Sequence, residues 1–153
     1  MYCNWRELIR PKNIVVDRDT LTDNYGRFVA EPLERGYGVT LGNSLRRVLL
    51  GSLQGAAITA VKIDGALHEF QALPDVTEDV TDIVLNLKEV NVRLKSGEQK
   101  TVRIEIEGPA TVKAKDIIHD ETVDILNPNH HICTVAEGGS LRAEPTTTRG
   151  KGY

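Results

Sequence analysis

The chain has 153 residues, 40% hydrophobic and 27% charged, which supports one domain with a real core or two small lobes and excludes general disorder. A formal charge of −3 argues against a nucleic-acid-binding surface spread over the whole chain, leaving open only a local basic patch. Cys3 and Cys133 lie far apart without CxxC spacing and no apolar run approaches the ~18 residues of a membrane span, so a reducing, cytoplasmic setting is expected.

Trp5 to Pro11 reads as a short amphipathic lead-in. Asn13 to Asp17 and Tyr25 to Glu31 read as strands of a hairpin, separated by the turn-rich Thr22-Asp23-Asn24. Pro32, Gly36 and Gly38 then break the strand, Thr40 can cap a helix over Leu41–Leu53, and Gly51 and Gly55 mark its end. At ~100° per residue, Leu41, Leu45, Val48, Leu49 and Ser52 form one stripe, the ordinary buried side of an amphipathic helix. Leu50 falls on the opposite face with Asn43, Arg46 and Arg47. A leucine between two guanidinium groups suits protein docking, because arginine binds carboxylates with its fork while its stem packs on apolar surface. Single exposed leucines are also common, so the wheel alone leaves both readings open.

Ala56 to Asp64 reads as a strand that Gly65 turns into a second one, Ala66 to Phe70. Asp75-Val-Thr-Glu78 has the spacing of a capping box, and Val76, Val80, Ile83, Val84 and Leu87 recur at helical intervals after it. Val90, Val92 and Leu94, the turn Ser96-Gly97-Glu98, and Val102, Ile104 and Ile106 predict a hairpin. Beyond Gly108-Pro109, Ala110 to Lys115, Val123 to Leu126 and Ile132 to Ala136 read as short strands of a β-rich lobe. Gly138 to Tyr153, with Leu141 as its main core candidate, is not expected to complete a core by itself.

Chemistry is sparse. Gly36-Tyr-Gly38-Val-Thr-Leu-Gly42 has its third glycine one residue late for a dinucleotide loop and no lysine in phosphate-loop spacing; a tight turn, with close helix packing at Gly42, suits it better. His131 and Cys133 would share one face of a strand with His130 on the other, an unpromising metal set, and His68-Glu69 would point to opposite sides. No serine elbow or distinctive carboxylate pair is present. No catalytic residue, metal ligand or cofactor is expected.

The run Glu31-Pro-Leu-Glu-Arg-Gly-Tyr-Gly-Val-Thr-Leu-Gly-Asn-Ser-Leu-Arg-Arg-Val-Leu-Leu50 closely resembles the signature of the N-terminal domain of the bacterial RNA polymerase alpha-subunit family. Ala57 to Phe70, Val76 to Lys88, Gly108-Pro109 with Lys113 to Asp116, Asn127-Pro128 with Ile132-Cys133, and Arg149-Gly-Lys-Gly-Tyr153 resemble further family blocks in the same order. The resemblance implies an α+β fold, a dimerisation lobe of strands and helix (1–54, first part only) interrupted by an inserted β-rich lobe (55–153, incomplete). It also implies a non-catalytic subunit of a nucleotidyltransferase complex, DNA-directed RNA polymerase, which dimerises and then recruits the beta and beta-prime subunits. On that likeness Leu41, Leu45, Val48 and Leu49 belong to the dimerisation side, Arg46, Arg47, Leu50 and Asn43 to the beta contact, and Lys88 to the beta-prime contact. The family domain continues past Arg-Gly-Lys-Gly-Tyr with a second dimerisation helix and a separate DNA-binding domain. A chain truncated at Tyr153 is therefore expected to dimerise poorly and to make no direct DNA contact. The alternatives are a generic homo-oligomerisation or adaptor module without a polymerase role, and a small metal protein using His130, His131 and Cys133.

Overall fold

The computed structural model describes residues 8–152, so Cys3 and the Trp5 end of the lead-in lie outside the described residues. The chain divides into two compact units, Met1–Ser52 and Leu53–Tyr153.

In the first unit, β1 (Ile14–Val16) pairs antiparallel with β2 (Phe28–Ala30), Val15 opposite Val29, as the hairpin reading expects. Helix α1 runs Tyr37–Gly51 and so starts earlier than expected. Thr40 does not cap it; it lies inside the helix, where its carbonyl accepts the Ser44 hydroxyl at 2.8 Å. The helix begins instead where Gly36, at φ 87, takes the left-handed conformation that costs a glycine little, and the Tyr37 N–H donates to Glu34 O at 3.0 Å.

The second unit is built on strand β10 (Ser140–Lys151), preceded in the chain by β3 (Gln54–Ile63), helix α2 (Val80–Lys88), β4 (Val92–Leu94), β5 (Gln99–Thr101), β6 (Ile104–Glu107), β7 (Ala110–Lys113), β8 (Val123–Ile125) and β9 (His131–Val135). Residues 138–153, not expected to complete a core by themselves, enter one together with the rest of the unit. β10 is the central strand, paired along one side with β3 from Ala143 opposite Ile63 to Lys151 opposite Gln54, and along the other with both β5 and β6. Its inward positions Leu141, Ala143, Pro145 and Thr147 are all buried. Small side chains fill the face where an aliphatic run was looked for. The buried Thr147 hydroxyl donates to Lys100 O at 3.0 Å, so its burial leaves no unsatisfied group. Pro145 fits because the N and O of one residue in an antiparallel strand point the same way, and its carbonyl, accepting from Val102 N at 2.9 Å, faces the break between β5 and β6. Outward positions carry opposite charges across the ladders, Glu144 opposite Lys62 and Arg142 opposite Glu105.

Three further expectations are corrected. Ala66 to Phe70 is a loop, not a strand, because the Gln71 amide ties Leu67 N at 2.9 Å and Gly65 O at 2.9 Å into a local turn. Asp79, not Asp75, caps α2, accepting from Asp82 N at 2.8 Å, while Asp75 adopts φ 59 and Val76 bridges to Val135 of β9. The strands on either side of Gly97 form as expected, but not as a hairpin: β4 pairs with β3 and β8, and β5 and β6 with β10. Their alternation shows which face is buried; it says nothing about the neighbour. β7 is also shorter than read, giving way to a 3-10 turn over Ala114–Asp116, and pairs with β9 in a separate two-stranded sheet.

Among the described residues every buried side chain lies from Ile63 onward, with Ile83 and Leu87 of α2 packed with Ile104, Ile132 and Leu141 in one core. Leu141→Ala should therefore cost the second unit about 2–5 kcal/mol, whereas Leu45→Ala on the exposed α1 should change the stability of the isolated chain by less than about 0.5 kcal/mol. Urea unfolding of the two variants measures the difference, and equal losses would place both residues in one core.

Candidate functional site

Helix α1 carries its apolar stripe and its basic face as the wheel requires, and both are exposed among the described residues. Leu41, Leu45, Val48 and Leu49 are 41%, 62%, 50% and 60% exposed, and Leu50 on the other side is 59% exposed. Asn43, Arg46 and Arg47 are exposed beside Leu50, and neither arginine pairs with a carboxylate among the described residues. The early start of the helix adds a residue that the sequence reading missed. Val39, 72% exposed, stands 11 residues before Leu50, roughly three turns away and about 20° around the axis, so it joins the basic face. The signal was Gly36, which suits a left-handed N-terminus better than Thr40 suits a cap.

At the helical glycine Gly42 a Cβ would meet nothing within 4 Å among the described residues. Lys88 lies in the last turn of α2, exposed and apart from the α1 residues in sequence and in unit.

The histidines and the cysteine do not converge. Cys133 is fully buried in the core, and burial, helped by the nearby Glu78 charge, pushes its thiol up to about 12. His130 Nε2 is 3.1 Å from Asn86 O, and His131 Nε2 is 2.8 Å from Glu78 Oε1. Glu78, expected to reach back in a capping box, instead reaches across to β9, where it also accepts from Thr134 N at 2.6 Å. Burial by itself would raise the Glu78 pKa; the hydrogen bonds from Thr134 and His131 outweigh it and hold the carboxyl below its ordinary 4.5. Thr77 N also donates to Thr134 O at 3.0 Å, so the carboxylate fastens the segment before α2 onto β9.

A carboxyl with a lowered folded-state pKa stabilises fully above its unfolded value, and that contribution fades as pH falls through the folded value. Glu78→Gln should lose about 1–3 kcal/mol near neutral pH and converge on the parent as pH is lowered from about 7 to about 3. Urea midpoints across that range test it; a gap independent of pH would show that the charge of Glu78 contributes nothing.

No helix among the described residues is long and apolar enough to cross a membrane. The chain is 58% identical over its whole length to the DNA-directed RNA polymerase subunit alpha of Geobacter metallireducens, 54% to that of Pelobacter propionicus and 51% to that of Desulfotalea psychrophila. It spans 45% of the length of each of these relatives. Residues 61–153 match the family described as RNA polymerase Rpb3/RpoA insert domain, and since they make up more than half of the chain, it belongs to that family.

Proposed function

We propose that this chain serves as an assembly scaffold of DNA-directed RNA polymerase in the bacterial cytoplasm, dimerising and recruiting the beta and beta-prime subunits while supplying no catalytic residue to the nucleotidyltransferase reaction. The observation that carries the reading is the uncovered helix α1. Four stripe side chains, each worth about 1.5–3 kcal/mol when fully buried and here about half exposed, leave roughly 3–6 kcal/mol of gross stabilisation unclaimed before entropy is subtracted. A second copy of the same helix supplies a matching apolar surface, so Leu41, Leu45, Val48 and Leu49 are the dimerisation side.

The reverse face then has a different task. Arg46, Arg47 and Asn43 offer donors to carboxylates and carbonyls of the beta subunit, and Leu50 gives that contact an apolar centre. Lys88 serves beta-prime. A generic oligomerisation module would need only the stripe. An unpaired basic face around an exposed leucine favours two kinds of partner over one.

Arg47→Ala combined with Leu50→Ala, placed in a chain of the relatives' full length, should abolish or weaken beta capture at least tenfold and leave dimerisation unchanged. Leu45→Glu should do the reverse, losing the dimer first. Co-purification with tagged beta, together with sedimentation, reads both. Normal beta capture by the double variant contradicts the assignment of the two faces.

A further inference from the structure

Strand β9 pairs with β7 on one side, and on the other it meets residues 76–78, which lead into α2. Val76 bridges to Val135, and Thr77 N donates to Thr134 O at 3.0 Å. Because the N–H and C=O of one residue in an antiparallel strand point the same way, Thr134 N needs an acceptor on this side too. A regular third strand would supply a backbone carbonyl. The acceptor is instead Glu78 Oε2, at 2.6 Å, while Oε1 of the same carboxylate takes His131 Nε2 at 2.8 Å and the Thr134 hydroxyl at 3.4 Å. A carbonyl does not titrate in this range; a carboxylate does. One rung of the ladder therefore depends on a proton.

The two ends of this short segment are fixed without Glu78. On one side Ala136 N donates to Asp75 O at 2.7 Å, and Asp75 lies so close to Gly139 that a Cβ there would meet Asp75 Cβ at 2.6 Å. On the other, Asp79 caps α2 and Val80 N donates to Gln71 O at 3.0 Å. Residues 76–78 can thus leave β9 while both anchors hold. Little apolar surface is uncovered when they do, since Val76 is only half-buried and Thr77 is exposed. The titratable groups facing the carboxylate are His131 at the surface and Cys133 in the core, both of β9. Lys113 of β7 stands opposite His131 in the ladder, and the Asp79 carboxylate is turned away onto Asp82 N at 2.8 Å.

We propose that Glu78 is a proton-operated latch: ionised, it closes residues 76–78 on β9, and protonated, it lets them open while the core stays folded, leaving the N–H and C=O of Thr134 as an unpaired strand edge. The direction follows from the lowered folded-state pKa of Glu78, because a contribution of that kind is present at neutral pH and lost as pH falls through the folded value. His131 is a positioning residue. Its donor orients the carboxylate, and its charge, when it carries one, tightens the latch.

Hydrogen exchange of single amides in the 153-residue chain, read by NMR with intrinsic rates divided out from about pH 7 to about pH 3, tests this. Protection of Thr77 and Thr134 should fall about tenfold or more relative to the amides of β10, with a midpoint that matches the titration of the Glu78 carboxyl carbon in the same samples. Glu78→Gln should show the low protection already at neutral pH and no further change with acid. His131→Gln, which keeps a donor but cannot be charged, should open at a higher pH than the parent. Parallel loss of protection at Thr134 and in β10 would mean that Glu78 acts only on global unfolding, and would overturn the proposal. Protection of Thr134 that ignores pH, or that survives in Glu78→Gln, would overturn it as well. An unchanged opening pH in His131→Gln would overturn the part assigned to the histidine.

Discussion

A 15-residue helix that turns leucines to opposite sides cannot hide them by any change in its own backbone; only another surface can. That constraint governs the first unit. The two short strands beside α1 give it no interior, since Ile14, Val15 and Phe28 are exposed as well and no residue from 8 to 52 is buried. Such a unit gains little from folding alone, because the cost of ordering its backbone is met only when apolar surface leaves water. On the proposed function, association is part of how this half of the chain becomes stable.

The second unit solves the same problem internally. β10 brings β3, β5 and β6 into one sheet, α2 and β9 close over its inner face, and the buried polar groups find partners: Thr147 on Lys100 O, Asn86 on Ile132 O, Glu78 on Thr134 N. A lobe that is stable by itself can hold an exposed side chain such as Lys88, at the end of α2, in place. The exposed stripe of α1, which is not, can be kept for a partner. The contrast gives a physical sense to the proposed role as a scaffold that assembles in steps.

Local structure was legible wherever the pattern was local. The β1–β2 hairpin, the stripe of α1, the buried positions of α2 and the alternation of β4 and β6 all follow from periodicity, and the family blocks followed from residue order. Pairing was not legible. Val92 and Leu94 show an inward face but not that β3 and β8 flank them, and Ile104 and Ile106 do not show that they pair with β10, which comes later in the chain and hides its role behind alanine, proline and threonine. Side chains of that size fill a tight interior without looking apolar in sequence. The capping-box spacing at Asp75 misled for a related reason: Glu78 had a better use on β9, and Asp79 was one residue closer to the helix. On the site, the two faces of α1 were readable from the wheel. Val39 was not legible, because Thr40 offered a cap and Gly36 starts the helix four residues earlier.

Hydrogen exchange along the 153-residue chain, at a concentration where sedimentation shows a monomer, tests the central claim most directly. The account predicts that amides of Tyr37–Gly51 exchange near the rate of an unprotected helix while those of β10 stay protected to the limit of global unfolding, and that α1 becomes protected once a chain of the relatives' full length dimerises. Equal protection of α1 and β10 in the monomer would mean that the helix is stable without a partner, and would contradict it.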